Sequence, residues 1–197
     1  MIEEFINKIE SKWHPMNREP ILLSIIGSTA LFLQTNYIRG TKDTDILEVN
    51  ELPKEIWEQL RVIGGKDSDL AKTHRFYIDF VGPGLPFLPP KPLFHSLEKW
   101  NSKLKFFHFQ ALDPVDVVVS KLKTFRPNDL DDIRAMADRH LVDPAHLVER
   151  FECAKEHWLM GSRAHELKEY VKNLHTVQRD YLMDKETPIL LPHWLNG

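Results

Sequence analysis

The spacing of hydrophobic positions in the first part of the chain predicts helices and strands in alternation. Over residues 2–12, apolar residues recur at every third or fourth position, which is typical of an amphipathic helix. The next apolar run, 21–26, is continuous, rich in branched residues and closed by Gly27, as expected of a buried strand. Ser28 is predicted to cap a helix over 29–34, because a serine side chain accepts a hydrogen bond from the first helical turn.

Further apolar stretches at 44–49, 75–81 and 103–112 are predicted to be strands. Five prolines between residues 82 and 92 exclude a helix or a central strand there, because proline lacks a backbone N–H. Both a structured crossing loop and a polyproline ligand for a partner domain fit this composition, and we expect the loop.

The second part of the chain has a different pattern. Helical spacing dominates from Pro114 to about residue 183, with proline and acidic residues at the predicted helix starts. The sequence therefore predicts an α/β (α+β) fold, with a core over 1–110 followed by an α-helical region over 111–197.

The amino-acid composition excludes only a few classes of protein. With 42% hydrophobic and 28% charged residues, the sequence is that of an ordinary globular protein. A formal net charge of −3 argues against nucleic-acid binding over the whole surface, although a local basic groove is compatible with it. We expect a cytoplasmic protein without a membrane partner, because Cys153 is the single cysteine and neither a signal peptide nor a bilayer-spanning apolar run is visible.

Two acidic residues, Asp43 and Asp45, are separated by one position at the second predicted strand. Side chains two apart on a strand point to the same side, so these carboxylates face one spot. Two like charges so close are unfavourable unless a cation offsets them, and the pair therefore fits a divalent-metal site. A solvated acidic strand start also fits, and is the commoner case for such a pair.

Asp79 stands in the middle of the third predicted strand, among aromatic and aliphatic residues. A carboxylate buried there without a partner would be costly, so it is expected either to face solvent or to share a cation. If its strand lies beside that of Asp43 and Asp45, the three carboxylates converge and can bind two Mg²⁺ ions, or Mn²⁺ in their place.

Gly27 and Ser28, at the junction of the first strand and helix, extend this pattern. Glycine lets a ligand approach the backbone closely, and a helix N-terminus offers N–H groups to phosphate oxygens. Such junctions are common, so this one indicates a phosphate-binding site only in combination with the acidic residues.

The order strand, Gly-Ser, helix, D-x-D and later strand aspartate resembles the nucleotidyltransferase superfamily, whose fold is shared with DNA polymerase β. More narrowly, GSTALFL at 27–33 and YIRGTKDTDIL at 37–47 look like the minimal bacterial nucleotidyltransferases that include the AbiEii-type toxins. The segment LDPVDVVVSKLKTFRPNDLDDI at 112–133 resembles that group's pattern of a helix lysine followed by D-x-x-D.

This resemblance implies a mixed sheet flanked by helices, and an NTP substrate with Mg²⁺ held by Asp43, Asp45 and Asp79. It implies nucleotide-binding roles for the other motif residues, which are Gly27, Ser28, Arg39, Thr41, Lys121, Asp129 and Asp132. The implied reaction transfers an NMP to an acceptor hydroxyl and releases pyrophosphate. In the toxin-like group the implied acceptor is a tRNA 3′ end, with an antitoxin-type partner protein, while a protein or small-molecule acceptor stays open.

Other roles fit several of these residues. Lys121 suits a triphosphate contact and equally an exposed helix lysine, and Asp129 and Asp132 suit acids that complement a helix dipole. The chain as a whole also fits a non-catalytic nucleotide- or RNA-binding module, or an antitoxin-like member paired with a separate protein.

Overall fold

The hydrophobic pattern is realised as strands and helices of mixed α/β type. The computed structural model describes residues 2–14, 19–35, 37–38, 40–48 and 52–195. The strands are β1 (Ile21–Ile26), β2 (Asp43–Leu47), β3 (Tyr77–Val81), β4 (Phe94–Ser96) and β5 (Phe107–Leu112). The α-helices are α1 (Ile2–Lys12), α2 (Gly27–Gln34), α3 (Lys54–Gly64), α4 (Asp69–His74), α5 (Glu98–Asn101), α6 (Pro114–Lys121), α7 (Pro127–Asp138), α8 (Pro144–Leu159) and α9 (Leu167–Asp180). Short 3₁₀ helices occupy Ala164–Glu166 and His193–Leu195.

The described strands form one five-stranded sheet in the order β3-β2-β1-β5-β4. The central strand β1 is antiparallel to β2 and parallel to β5. The outer pairs are β2 with β3, which run parallel, and β4 with β5, which run antiparallel. The sheet is therefore mixed, as the sequence predicted.

One face of the sheet is covered by α1. The ring of Phe5 packs edge-on against Phe76 with 5.1 Å between centroids, and Ile46 lines the same apolar layer. Successive residues of a strand point to opposite faces, so Asp43 and Asp45 lie on the face that α1 does not cover. Burial of the apolar face thus determines which side presents the acidic residues.

The start of α2 differs from the sequence prediction. The helix begins at Gly27, and Ile26 occupies the N-cap position in extended conformation, where its side chain makes no capping hydrogen bond. Ser28 therefore lies inside the first turn, and the prediction that it caps the helix is wrong. Gly27, with a positive φ of 66°, forms the turn from β1 into α2. The helix therefore begins one residue before Ser28.

The structure also contains short elements that the pattern did not predict. These are β4, α4 and α5, each of three to six residues, which is too short to show a hydrophobic period. The fourth predicted strand is shorter than expected, because β5 begins only at Phe107.

The chain falls into two compact units and passes between them more than once. One unit comprises Met1–Leu85 with Phe94–Leu112 and carries the sheet. The other comprises Pro86–Leu93 with Asp113–Gly197 and carries α6 to α9. Each unit therefore contains a segment that is separated in sequence from its main part.

The proline-rich segment is part of the core of the helical unit. Phe87 is fully buried, and its ring lies 5.4 Å from that of Phe151, 5.5 Å from that of Trp158 and 4.9 Å from that of Tyr170. This packing requires a structured loop, as expected, rather than an exposed polyproline ligand. In the part of the chain that the structure describes, no helix has both the length and the apolar character needed to cross a membrane.

Candidate functional site

Three carboxylates share one face of the paired strands β2 and β3. Asp43 and Asp45 are two positions apart on β2, and Thr44, which lies between them, is buried toward the other face. Asp79 on β3 is the direct register partner of Asp45, which confirms that the two strands are neighbours. Adjacent strands lie about 4.8 Å apart, so carboxylates at paired positions can reach a common ligand.

The three carboxylates differ in exposure. Asp43 and Asp45 are half-buried, whereas Asp79 is exposed, and its Oδ1 accepts a hydrogen bond from the backbone N–H of Phe80 at 3.0 Å. The Asp79 side chain is therefore accessible to solvent, on the same side of the sheet as Asp45.

Gly27 brings the start of α2 against the acidic face. Its φ of +66° favours glycine, and a Cβ added at this position would lie 3.0 Å from Oδ2 of Asp45. Because Gly27 has no side chain, Oδ2 of Asp45 can occupy its present position. Ser28 follows as the second residue of α2, so both members of the predicted Gly-Ser pair belong to the helix turn nearest the carboxylates.

Hydroxyl groups surround Asp43. Thr41 donates a hydrogen bond from Oγ1 to Oδ1 of Asp43 at 2.9 Å, and the Tyr77 hydroxyl lies 3.5 Å from Oδ2. Burial and the negative charges of Asp43, Asp79 and Asp45 raise the pKa of the Tyr77 hydroxyl above its ordinary value. Tyr77 is the register partner of Asp43 and lies on the same face of the sheet as Asp79, two residues later on β3.

Tyr77 and Thr29 were missed by the sequence analysis. Thr29, in the first turn of α2, donates from Oγ1 to the backbone carbonyl of Asp43 at 2.8 Å. The alternation of strand positions places Tyr77 on the face of Asp79, two residues later, and this was the only available indication. Arg39, predicted to bind nucleotide, lies outside the described residues.

Lys121, Asp129 and Asp132 form a second cluster, within the helical unit. The ammonium of Lys121, at the end of α6, lies 2.9 Å from Oδ1 of Asp129 and 2.6 Å from Oδ2 of Asp132, both on α7. The Lys121 side chain is 7% exposed and that of Asp132 is fully buried. Lys121 is therefore not the solvent-facing helix lysine that was one of the two expectations.

Asp129 has further partners at the start of α7. Burial alone would raise its pKa, but the Lys121 charge and hydrogen bonds from Thr124, Lys121 and the Arg126 backbone N–H lower the pKa below its ordinary value. The Asp129 carboxylate therefore accepts hydrogen bonds from backbone and side-chain donors at the helix N-terminus, as expected of an acid that complements the helix dipole.

The acidic face suits a hard divalent cation by its chemistry. Its donors are carboxylate oxygens, which Mg²⁺ prefers, and Asp43, Asp45 and Asp79 supply them from one side of two adjacent strands. Among the described residues, no group of three His, Cys, Asp or Glu side chains is already gathered as metal ligands. The residues thus fit a cation by type and register.

Comparison with known proteins gives one result. The family described as nucleotidyltransferase of unknown function (DUF6036) matches residues 1–182, which is most of the chain. No curated protein and no solved structure matches the chain significantly. The chain therefore belongs to this DUF6036 family of nucleotidyltransferases.

Proposed function

We propose that this protein is a Mg²⁺-dependent enzyme that transfers an NMP from an NTP to an acceptor hydroxyl. Family membership supplies the reaction class. The proposed metal dependence rests on the register of the parallel strands β2 and β3. This register pairs Asp45 with Asp79 and places Asp43 on the same face. The first turn of α2 beside Asp45 adds a group of backbone N–H donors suited to phosphate oxygens.

In the proposed reaction, the acceptor oxygen forms a bond to the α-phosphorus of the NTP while the bond between the α-phosphorus and its bridging oxygen breaks. Pyrophosphate leaves with the electron pair of that bond, and the hydroxyl proton passes to solvent. Asp43, Asp45 and Asp79 would hold Mg²⁺, which lowers the pKa of the acceptor hydroxyl and offsets the charge of the triphosphate. The N–H groups of α2 orient the triphosphate against this acidic face.

The proposed acceptor is an RNA, and specifically the 3′ end of tRNA. This choice rests on the resemblance of the motifs around Gly27 and Asp43 to those of AbiEii-type toxins, which also implies an antitoxin-type partner protein. A hydroxyl of a protein or of a small molecule is chemically equivalent, so a transfer assay has to offer all three kinds of acceptor.

The test measures transfer of label from each α-³²P NTP in turn, with Mg²⁺, total bacterial RNA and lysate protein. We expect a discrete labelled RNA band with the wild-type protein. Asp45→Asn should lower the rate on the order of a thousandfold, because it removes a carboxylate charge that would hold the Mg²⁺ needed to stabilise the transition state. Asp67→Asn, at an exposed position of the same unit, is the matched control and should keep the wild-type rate.

Equal rates for Asp45→Asn and the wild type would refute the assignment of the acidic face. Label in a protein band would keep the reaction and replace the acceptor. If no label transfers to any acceptor, including added small molecules, and NTP binds without Mg²⁺ in a calorimetric titration, the protein is a binding module instead.

A further inference from the structure

Asp43 is held at three of its oxygens by hydroxyl groups from different parts of the chain. Thr41 bonds to one carboxylate oxygen at 2.9 Å, and Tyr77 approaches the other to 3.5 Å. The backbone carbonyl of Asp43 accepts from Thr29, which is 2% exposed, at 2.8 Å. These contacts fix both the main chain and the side chain of this one aspartate.

The arrangement follows from the topology. Tyr77 on β3 is the register partner of Asp43 on β2, although the two residues are 34 positions apart in sequence. Thr29 reaches the same residue from the first turn of α2. The pairing of strands and the start of the helix therefore determine together where the Asp43 carboxylate lies.

We propose that Tyr77 and Thr41 are positioning residues, which orient the two carboxylate oxygens of Asp43 for a divalent cation. The inference rests on the proposed function and adds to it the residues that prepare the site. The torsion that orients an aspartate carboxylate has a broad range of allowed angles, so ordering a carboxylate without such partners costs conformational entropy when the cation binds. A hydroxyl at each oxygen reduces this entropic cost, as outer-shell partners of metal ligands do.

The contributions of the two hydroxyls should differ. The Thr41 contact has the length of an ordinary hydrogen bond, whereas the Tyr77 contact is at the outer limit of one. Removal of the Thr41 hydroxyl should therefore have the larger effect, and removal of the Tyr77 hydroxyl the smaller one in the same direction.

The test measures Mn²⁺ affinity by electron paramagnetic resonance of the unbound ion, without NTP and hence without turnover. Relative to the wild type, Thr41→Val should weaken binding on the order of tenfold and Tyr77→Phe by a smaller factor. Thr41→Ser, which keeps the hydroxyl, should restore the affinity. Tyr181→Phe, which removes a phenol hydroxyl in the helical unit, should bind as the wild type does. Melting temperatures within a few degrees of the wild type exclude loss of folding.

Asp43→Asn separates failure of this inference from failure of the proposed function. Wild-type Mn²⁺ binding that Asp43→Asn abolishes, with unchanged affinity in Thr41→Val and Tyr77→Phe, would overturn the positioning roles and leave the proposed function intact. No binding by the wild type, or binding unaffected by Asp43→Asn, would overturn the positioning roles, and the transfer assay with Asp45→Asn would then decide the proposed function separately.

Discussion

At the scale of single residues, Gly27 links the backbone conformation at the start of α2 to the position of the Asp45 carboxylate. It combines a positive φ with a position at which an added Cβ would lie only 3.0 Å from Oδ2 of Asp45. A side chain at this position faces two separate penalties, one for the backbone conformation and one for displacing the carboxylate oxygen.

We predict that Gly27→Ala lowers both stability and nucleotidyl transfer. The left-handed conformation costs an alanine about 1–2 kcal/mol. Movement of the Asp45 carboxylate by a fraction of an ångström should reduce kcat/KM by roughly 10- to 100-fold. Chemical denaturation and steady-state transfer assays measure the two effects separately.

Gly82→Ala is the matched control for this prediction. A Cβ at Gly82 would meet only the Leu85 side chain, at an ordinary contact distance of 4.0 Å. The control should therefore keep the wild-type rate. A Gly27→Ala protein with that same rate would show that the close approach to Asp45 is not needed for transfer.

The acidic residues were predictable because strand alternation is visible in any single sequence. Asp43 and Asp45 needed only a two-residue period, and Asp79 needed only the expectation that its strand is a neighbour. The role of Tyr77 could not be predicted, because it depends on a register partner 34 residues away, and register is determined by packing of the whole sheet.

At the scale of elements, the link between α6 and α7 is a buried ionic cluster. Lys121 is shared between Asp129 and Asp132, and the three side chains are at most 15% exposed. Removing the cation would leave two carboxylates close together in a poorly hydrated environment, which is a large energetic cost.

We predict that Lys121→Met lowers the free energy of unfolding by about 3–5 kcal/mol. Lys172→Met, which removes an exposed ion pair with Glu169 on α9, is the control and should cost less than about 1 kcal/mol. Urea denaturation followed by circular dichroism measures both changes.

The opposite result would assign Lys121 to the nucleotide. If Lys121→Met is as stable as the wild type but has a raised KM for the NTP, the triphosphate contact implied by the sequence resemblance is favoured over the structural role. The measurement therefore decides between two interpretations that the sequence could not distinguish.

Long elements were predictable from their periodicity, and short ones were not. The helix α1 shows its apolar positions over eleven residues, whereas β4 has three residues and depends on β5 for its hydrogen bonds. Its formation is a consequence of tertiary pairing, which leaves no local pattern in the sequence.

At the scale of the whole molecule, the helical unit depends on a distant segment of chain. Phe87 fills the space between three rings of that unit. In the same unit Arg150 bonds to the buried Asp116 carboxylate at 2.7 Å and to the Lys91 carbonyl at 2.9 Å. A cut after Leu112 therefore removes both an aromatic core residue and a hydrogen-bonding partner.

We predict that a fragment of residues 113–197 does not fold by itself. Loss of a buried phenylalanine alone costs about 3–5 kcal/mol, which is a large part of the stability of a small domain. Addition of a peptide covering residues 84–95 should restore cooperative unfolding, whereas the same peptide with Phe87→Ala should not. Circular dichroism during thermal unfolding gives the readout, and a fragment that folds without the peptide would contradict the prediction.

The central place of β1 in the sheet has a consequence for synthesis of the chain. Ser24 on β1 bonds to Gln110 on β5, 86 residues later, so one edge of β1 has no partner until that strand has been made. At ordinary translation rates this delay is roughly 4–17 s. During that time an apolar strand edge is exposed to other nascent chains. Ribosome-bound chains that stop before β5 should therefore be the most aggregation-prone and the most dependent on chaperones.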